Sequence, residues 1–217
     1  MARNLLVISA GVSTPSSTRL LADQLAEAVS AGVTARGESV AIDVLEIAPL
    51  AASLATTVTT GVAPADITDA RDRVAAADGV VVVTPIFAAS YSGLFKMFFD
   101  ILDPDSLSGV PVLIAATAGT PRHSLALEHS IRPLMSYLRA ATVPTAVFAA
   151  TEDFGTAELS GRIRRAAAEL AQQLVAANAV AGFGGPTDLD RPRRSGGSLD
   201  LGAVTPFAEL LNGHTGN

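Results

Sequence analysis

The sequence predicts an α/β protein, a parallel sheet covered by helices on both faces, and three observations carry that prediction. Short, mainly apolar runs recur at Leu5–Ile8, Gly79–Thr84 and Gly109–Thr117, the pattern of strands buried on both sides. Segments with apolar residues at helical spacing alternate with those runs. The chain has 217 residues, enough for one compact domain and too few for two ordinary ones.

Taken in order, Arg3–Ser9 is the first strand, and Leu21, Leu25, Ala28 and Val29 mark a helix stopped at Ala35-Arg36-Gly37. Val40–Ile47 alternates as a second strand, and the Ala/Thr-rich stretch 48–61 reads as an irregular connection. A helix follows over 64–77, with Pro64 suited to its first turn. Gly79–Thr84 has the strongest strand character and is expected at the centre of the sheet. After a loop from Pro85 to Ser92, the set Leu94, Phe95, Phe98, Phe99 and Leu102 repeats on one helical face. Gly109–Thr117 is a further buried strand, 125–141 a helix bent or restarted at Pro133, and Pro144–Ala150 the fifth strand. Leu159, Ile163, Ala167, Leu170 and Leu174 give a last amphipathic helix. Five strands alternating with helices suit a flavodoxin-like three-layer sandwich of strand order 2-1-3-4-5. The domain is expected over 1–181. From residue 182 to 217 a Gly-, Pro- and Arg-rich arm is expected, with a small apolar patch at Phe207, Leu210 and Leu211.

Composition removes several classes of chemistry. Lys plus Arg is 15 against 21 for Asp plus Glu, a net charge of -6, which argues against a general nucleic-acid binder. The chain has no cysteine, so disulfides, thiolate metal sites and a cysteine nucleophile are all excluded. The apolar stretch Leu5–Ile8 is shorter than the roughly 7–15 residues of a signal h-region. No apolar run approaches the roughly 20 residues of a membrane span. A cytoplasmic setting without membrane contact is the expectation.

In open parallel sheets ligands sit beyond the carboxyl ends of the strands, at the switch in strand order. Three loops meet that position. The first, Ser9-Ala-Gly-Val-Ser-Thr-Pro-Ser-Ser-Thr-Arg19, carries six hydroxyls between Ser9 and Thr18 and runs into a helix start. Free N–H groups, the helix dipole and the hydroxyls of Ser16, Ser17 and Thr18 suit a phosphate dianion. An ordinary N-cap satisfies the same donors with a single such residue. Neither Gly-Lys-Ser/Thr nor G-x-G-x-x-G is present, so the loop is neither a Walker loop nor a Rossmann fingerprint. The second runs from Thr84 to Lys96. Phe87 and Tyr91 offer flat apolar surface, and Ser90, Ser92 and Gly93 offer donors at a helix start, a mixture suited to a planar heteroaromatic ring. Core packing by Phe87 and capping by Ser92 is the plainer alternative. In the third, Ala116-Thr-Ala-Gly-Thr-Pro-Arg-His123, Gly119 and its small neighbours permit close backbone approach. Donors there suit the pyrimidine edge of a flavin.

These segments resemble the NADPH-dependent FMN reductase family of the flavodoxin-like superfamily, flavin reductases that supply reduced FMN to two-component monooxygenases. Thr84-Pro-Ile-Phe-Ala-Ala-Ser-Tyr-Ser-Gly-Leu-Phe-Lys96 is similar to the family's Thr-Pro-x-Tyr-x-x-Ser-x-Ser-Gly-x-x-Lys segment. Residues 116–123, Ala126-Leu-Glu-His129 and Arg132-Pro-Leu134 also match. The likeness spans about Arg3 to Leu174 and is greatest to actinobacterial members that accompany luciferase-like monooxygenases. It implies FMN with NADPH or NADH as co-substrate, hydride chemistry carried by the flavin, and no metal. Ser9, Ser16, Ser17 and Thr18 are then expected at the FMN phosphate. Pro85, Ile86, Phe87, Ser90, Tyr91, Ser92 and Gly93 are expected along the ring and ribityl chain, and Thr117, Ala118, Gly119 and Thr120 at the pyrimidine side, with Asp153 peripheral. The sequence departs from the family at Phe87, where Tyr is frequent, and at Ala118, which replaces a common Gly. Ser13 stands near the place of a frequent Arg, while Arg19 follows later.

Other residues invite misreading. His123, Glu128 and His129 are spaced H-x-x-x-x-E-H, which is not a zinc motif. The resemblance implies that Arg122 stands near the nicotinamide entry, where it is expected to meet an NADPH phosphate. Ser92 lacks the leading glycine of a G-x-S-x-G nucleophile. Arg162, Arg164 and Arg165 read as a solvated helix face, and for Arg191, Arg193 and Arg194 in the arm two readings stay open, disorder or contact with a dinucleotide phosphate. Two further readings remain: reduced flavin retained and passed to a quinone, azo dye or metal ion, and an electron-carrier flavodoxin without pyridine-nucleotide activity. Carriers usually wall the ring with aromatics such as Trp; this chain has none and is 5% aromatic. A flavin-free interaction module on the same fold is a third. The apolar helix with Phe95, Phe98 and Phe99 exceeds what one sheet face covers, so a homodimer or homotetramer is expected.

Overall fold

Alternation along the buried strands decides which core each side chain enters. The computed structural model describes residues 2–176; the expected arm over 182–217, with its apolar and arginine clusters, lies outside them. Strands β1 (Arg3–Ser9), β2 (Val40–Glu46), β3 (Gly79–Phe87) and β5 (Pro111–Ala118) pair in parallel in the order β2-β1-β3-β5. Beyond β5 lie β6 (Ala141–Thr142) and β7 (Val147–Ala150), both paired to it. Helix α1 (Ser17–Thr34) follows β1, α2 (Ala51–Thr60) and α3 (Ala65–Ala76) precede β3, and α4 (Gly93–Asp100) follows β4 (Ser90–Tyr91). Helix α5 (Arg132–Tyr137) precedes β6, and α6 (Ala157–Ala176) follows β7. The order 2-1-3-4-5 holds, with β6 and β7 sharing the fifth place.

Successive strand residues face opposite sides. Leu6, Ile8, Val80, Val82, Val112 and Ile114 enter one core, which takes in residues of α2 to α5. Leu5, Val7, Val81, Val83, Leu113 and Ala115 enter the other, against α1 and α6. Helix α6 packs closely on both neighbours: a Cβ on Gly32 of α1 would stand 3.0 Å from the Ala171 methyl, and one on Gly79 at the start of β3 2.7 Å from Leu174 Cδ2. Strand β2 is the exposed edge of the sheet. Arg73 guards it, its guanidinium donating to both Asp43 oxygens at 2.8 and 2.6 Å and to the Val44 carbonyl at 2.9 Å.

Four expectations need correction. The stretch 48–61 is not irregular: a 3-10 turn at Ala48–Leu50 leads into α2, which Gly61 ends in the left-handed region at φ 74°. Only Leu54 and Thr57 of α2 are buried, so the segment shows no apolar stripe. Its threonine hydroxyls are satisfied within the helix by donating to carbonyls four residues back, Thr57 to Ser53 and Thr60 to Thr56 among them. The loop from Pro85 to Ser92 is instead an extension of β3 that folds back as β4, pairing Ile86 with Tyr91 and Phe87 with Ser90. The helix over 125–141 does restart at Pro133, a π-helical turn at Leu127–Ile131 giving way to the short α5, but it ends at Tyr137 and the chain has re-entered the sheet by Ala141. Pro133 sits in the first turn of α5, where its missing N–H is tolerated. The fifth strand breaks between Thr142 and Val147, around Pro144, which has no N–H for a ladder.

The phenylalanine helix also fails as an argument for assembly. Phe95, Phe98 and Phe99 are buried within one chain. Their rings pack on one another, Phe95 on Phe99 at 4.6 Å and Phe98 edge-on to Phe99 at 5.4 Å between centroids.

Candidate functional site

Loop one closes on itself. Ser16 caps α1, its Oγ accepting from the Arg19 N–H at 3.1 Å, and its carbonyl accepts from Leu20 N–H. Gly11 permits that closure, since a Cβ there would lie 2.2 Å from Ser16 Oγ. Capping leaves the backbone N–H groups of Ser17 and Thr18 without a partner among the described residues, two of the orphan donors every helix start presents. Ser17 is exposed, Ser16 half-buried, and Ser9 buried at the end of β1. Ser16 Oγ accepts through a lone pair and keeps its own proton to donate. The loop contains a cis Thr14–Pro15 peptide bond. It can hold an anion at the positive end of α1.

Arg19 does not take part in that anion site. Its Nε donates to Asp23 at 2.8 Å and its Nη1 lies 3.2 Å from Glu46. The bond to Asp23, opposed by burial and helped by Glu46, holds the guanidinium pKa above its ordinary value.

Loops one and three are joined by one buried contact. Thr18 Oγ1 and Thr117 Oγ1 meet at 2.8 Å, tying the first turn of α1 to the end of β5. The Thr117 hydroxyl, expected to face the pyrimidine edge, therefore already faces Thr18. Ala118 is half-buried, and Gly119 and Thr120 are exposed beyond it. A 3-10 turn at Pro121–His123 leads away from the loop. Asp153 is committed to its own turn, its Oδ2 accepting from the Ala150 N–H at 2.7 Å.

The second loop carries the strained part of the site. Ala88 and Ala89, between the paired ends of β3 and β4, have φ of 47° and 67°. Two left-handed residues suit a two-residue hairpin, a place where Asn-Gly or Gly is usual; alanine there costs roughly 1–2 kcal/mol per residue. The hairpin leaves the Phe87 ring 51% exposed at the carboxyl edge. Tyr91 instead leans on Phe95, at 5.7 Å between centroids, so the flat open surface here belongs to Phe87. Thr84 Oγ1 accepts from the Ser92 N–H at 3.2 Å, and Ser92 Oγ caps α4 through the Phe95 N–H. Pro85 and Ser90 are half-buried, Ile86 is buried and Gly93 exposed.

Gly11, Thr84 and the Ala88-Ala89 turn were not among the residues singled out from sequence. Gly11 could have been, as the sole glycine of a hydroxyl-rich loop; Ala-Ala carries no turn signal. Among the described residues there is no group of three or more acidic or histidine side chains placed to hold a metal, and no helix long and apolar enough to cross a membrane.

A doubly wound sheet with three loops converging at its switch point, one of them opening a helix with free donors, defines a flavodoxin-like protein of the mononucleotide-binding class. A family model described as NADPH-dependent FMN reductase matches residues 3–155. The chain is 36% identical over 186 residues to the FMN reductase (NADPH) of Pseudomonas aeruginosa, covering 85% of this chain and 94% of that one. Among solved structures it is similar to an oxidoreductase from Corynebacterium diphtheriae, with TM-score 0.78 and 56% identity over 81% of this chain and 98% of the other. It is also similar to the apo form of an NADH:FMN oxidoreductase, with TM-score 0.67 and 30% identity over 79% and 89%. The chain belongs to the NADPH-dependent FMN reductase family. It is an NAD(P)H-dependent FMN oxidoreductase, which sets aside the carrier and the flavin-free module considered from sequence.

Proposed function

We propose that loop one binds the FMN phosphate through Ser9, Ser16, Ser17 and Thr18, and that the hairpin and loop three frame the ring. The observation that carries this reading is the pair of unpartnered N–H groups at Ser17 and Thr18 inside a hydroxyl-rich loop that Gly11 allows to close. A phosphate dianion takes such donors directly. Pro85, Ile86, Phe87, Ser90, Tyr91, Ser92 and Gly93 form the wall along the ring and ribityl chain. Thr117, Ala118, Gly119 and Thr120 line the pyrimidine side, where donors of the loop beyond the end of β5 favour developing negative charge. Bound FMN supplies the hydride acceptor at N5. The chain supplies orientation, the wall and the electrostatics, and the site needs no protein acid or base.

In this reading reduced flavin passes to a partner flavin-dependent monooxygenase in the cytoplasm. The enzyme works as a homodimer or homotetramer, with exposed Leu125 and Tyr137 replacing the phenylalanines as support for assembly. A fluorescence titration tests the site: wild type quenches FMN saturably, and Ser17→Glu, which sets a carboxylate against the phosphate, weakens binding at least tenfold. Unchanged affinity would remove loop one from the site. Light scattering checks assembly, and stopped-flow reduction with and without a monooxygenase shows whether the flavin leaves.

A further inference from the structure

A cavity of about 590 Å3 lies at the outer edge of the sheet, beyond β7. Ser124 and Leu127, just past loop three, form one side, and Ala146 and Phe148 the strand side. The first two turns of α6 close it with Ala157 and Gly161. Its volume falls within the roughly 300–1,000 Å3 of small-molecule sites. Two features are unexplained by packing within the chain. Gly161 lies inside a helix, where glycine is destabilising relative to alanine, yet a Cβ there would meet nothing within 4 Å. It leaves bare backbone facing the cavity.

The second feature is charge. Arg162 and Arg165 both line the cavity, three residues apart and so neighbours on the helix surface. Both are exposed, and neither guanidinium has a hydrogen-bond or ion-pair partner among the described residues. Two nearby carboxylates are engaged elsewhere: Glu128 receives Arg132 at 2.5 and 2.9 Å, and Glu169 accepts from the Thr145 N–H and Oγ1 at 2.8 and 2.6 Å. Glu158, on the cavity wall, is exposed and unpaired.

We propose that this cavity receives the adenosine phosphate end of the pyridine nucleotide, with Arg162 and Arg165 holding the 2′-phosphate that separates NADPH from NADH. The proposal rests on the reading of the carboxyl-edge loops as the flavin site. The Pro121–His123 turn continues loop three and Ser124, the next residue, is on the cavity rim, so a dinucleotide extending from the ring along that turn would reach the cavity. Leu127 and Phe148 offer apolar contact to the base, Glu158 accepts from an amino or hydroxyl group of the nucleoside, and guanidinium forks match phosphate oxygens. Relatives of both preferences exist, one named for NADPH and one for NADH, so the preference is a property this chain's own residues have to set.

Calorimetric titration of the full chain with 2′,5′-ADP and with 5′-AMP is the test. Saturable binding of 2′,5′-ADP is expected, weakened about tenfold or more in Arg162→Ala/Arg165→Ala and blocked in Gly161→Leu, whose side chain occupies the cavity. In turnover with added FMN, the ratio of kcat/KM for NADPH to that for NADH falls by a similar factor in the arginine variant. Failure of wild type to bind 2′,5′-ADP, or equal binding by the arginine variant, overturns the proposal, as does an unchanged nucleotide ratio. Should wild type bind 2′,5′-ADP through the arginines yet oxidise neither nucleotide, the flavin reading falls while the phosphonucleoside site stands.

Discussion

The two layers flanking the sheet solve the same packing problem differently. On the side of α1 and α6 the core is aliphatic and small, and the helices come close through Gly32 and Ala171, while Gly79 makes room for Leu174. On the side of α2 to α5 the core is filled by Phe95, Phe98 and Phe99. The backbone there is broken into short helices, a hairpin and a π-helical turn. Close backbone contact demands regular helices, because each turn has to present the same small face to its neighbour. Large side chains span gaps and tolerate irregular backbone between them. The regular layer thus carries loop one at the head of α1, and the irregular layer carries the hairpin at the carboxyl edge, the two segments proposed for the phosphate and the ring.

Substitutions can break this contrast or sharpen it. Phe95→Ala is expected to have the largest effect, a loss of about 3–5 kcal/mol in urea unfolding. Leu25→Ala, on the opposite side, should lose about 2–5 kcal/mol and stay at the lower end if that layer closes over the gap. A larger loss for Leu25 would mean that the aromatic cluster does not dominate its layer. The seam between loops one and three comes next. Thr18→Val leaves the Thr117 hydroxyl buried without its partner, at about 1–3 kcal/mol, whereas Thr18→Val/Thr117→Val should return close to wild type. A double variant as unstable as the sum of the singles would show that the bond is not the coupling.

Gly11→Ala comes third. Its methyl group displaces Ser16 from the cap, at about 1 kcal/mol, and should weaken FMN binding by more than it lowers the midpoint of thermal unfolding. The smallest effect belongs to Glu128. Hydrogen bonds from Arg132, opposed by partial burial, hold its carboxyl below the usual range. Because the folded value is the lower one, the pair's contribution is present above the unfolded-state pKa and is lost as pH falls through the folded value. The difference in Tm between wild type and Glu128→Gln should therefore be small at neutral pH, since Glu128 itself is exposed, and should close on acidification. A difference that does not vary with pH would assign it to packing.

The layer of α1 and α6 was readable because regularity is a local property. Leu21, Leu25 and Val29, and Leu159, Ile163, Ala167, Leu170 and Leu174, recur at the helical period and are all buried. The helix starts that border the candidate site were readable for a similar reason: a hydroxyl-rich loop before a helix, and Ser92 at the head of α4, carry their own capping chemistry. The roles of single residues were not. Thr117 and Thr18 lie 99 positions apart, and nothing near either announces that their hydroxyls meet. The hairpin at Ala88-Ala89 has neither asparagine nor glycine to mark it.

Residue order along the chain, with its alternating apolar runs and helical stripes, was sufficient for the doubly wound sheet, its strand order and the edge at which the loops gather. Those features follow from periodicity and from short right-handed connections. Whether a phenylalanine helix is covered within one chain, which hydroxyl stays free to meet a ligand, and where Arg162 and Arg165 find a cavity were settled by elements far apart in sequence. A side chain's burial and its partners are properties of the surfaces that enclose it, and those surfaces exist only once the sheet and both layers have assembled.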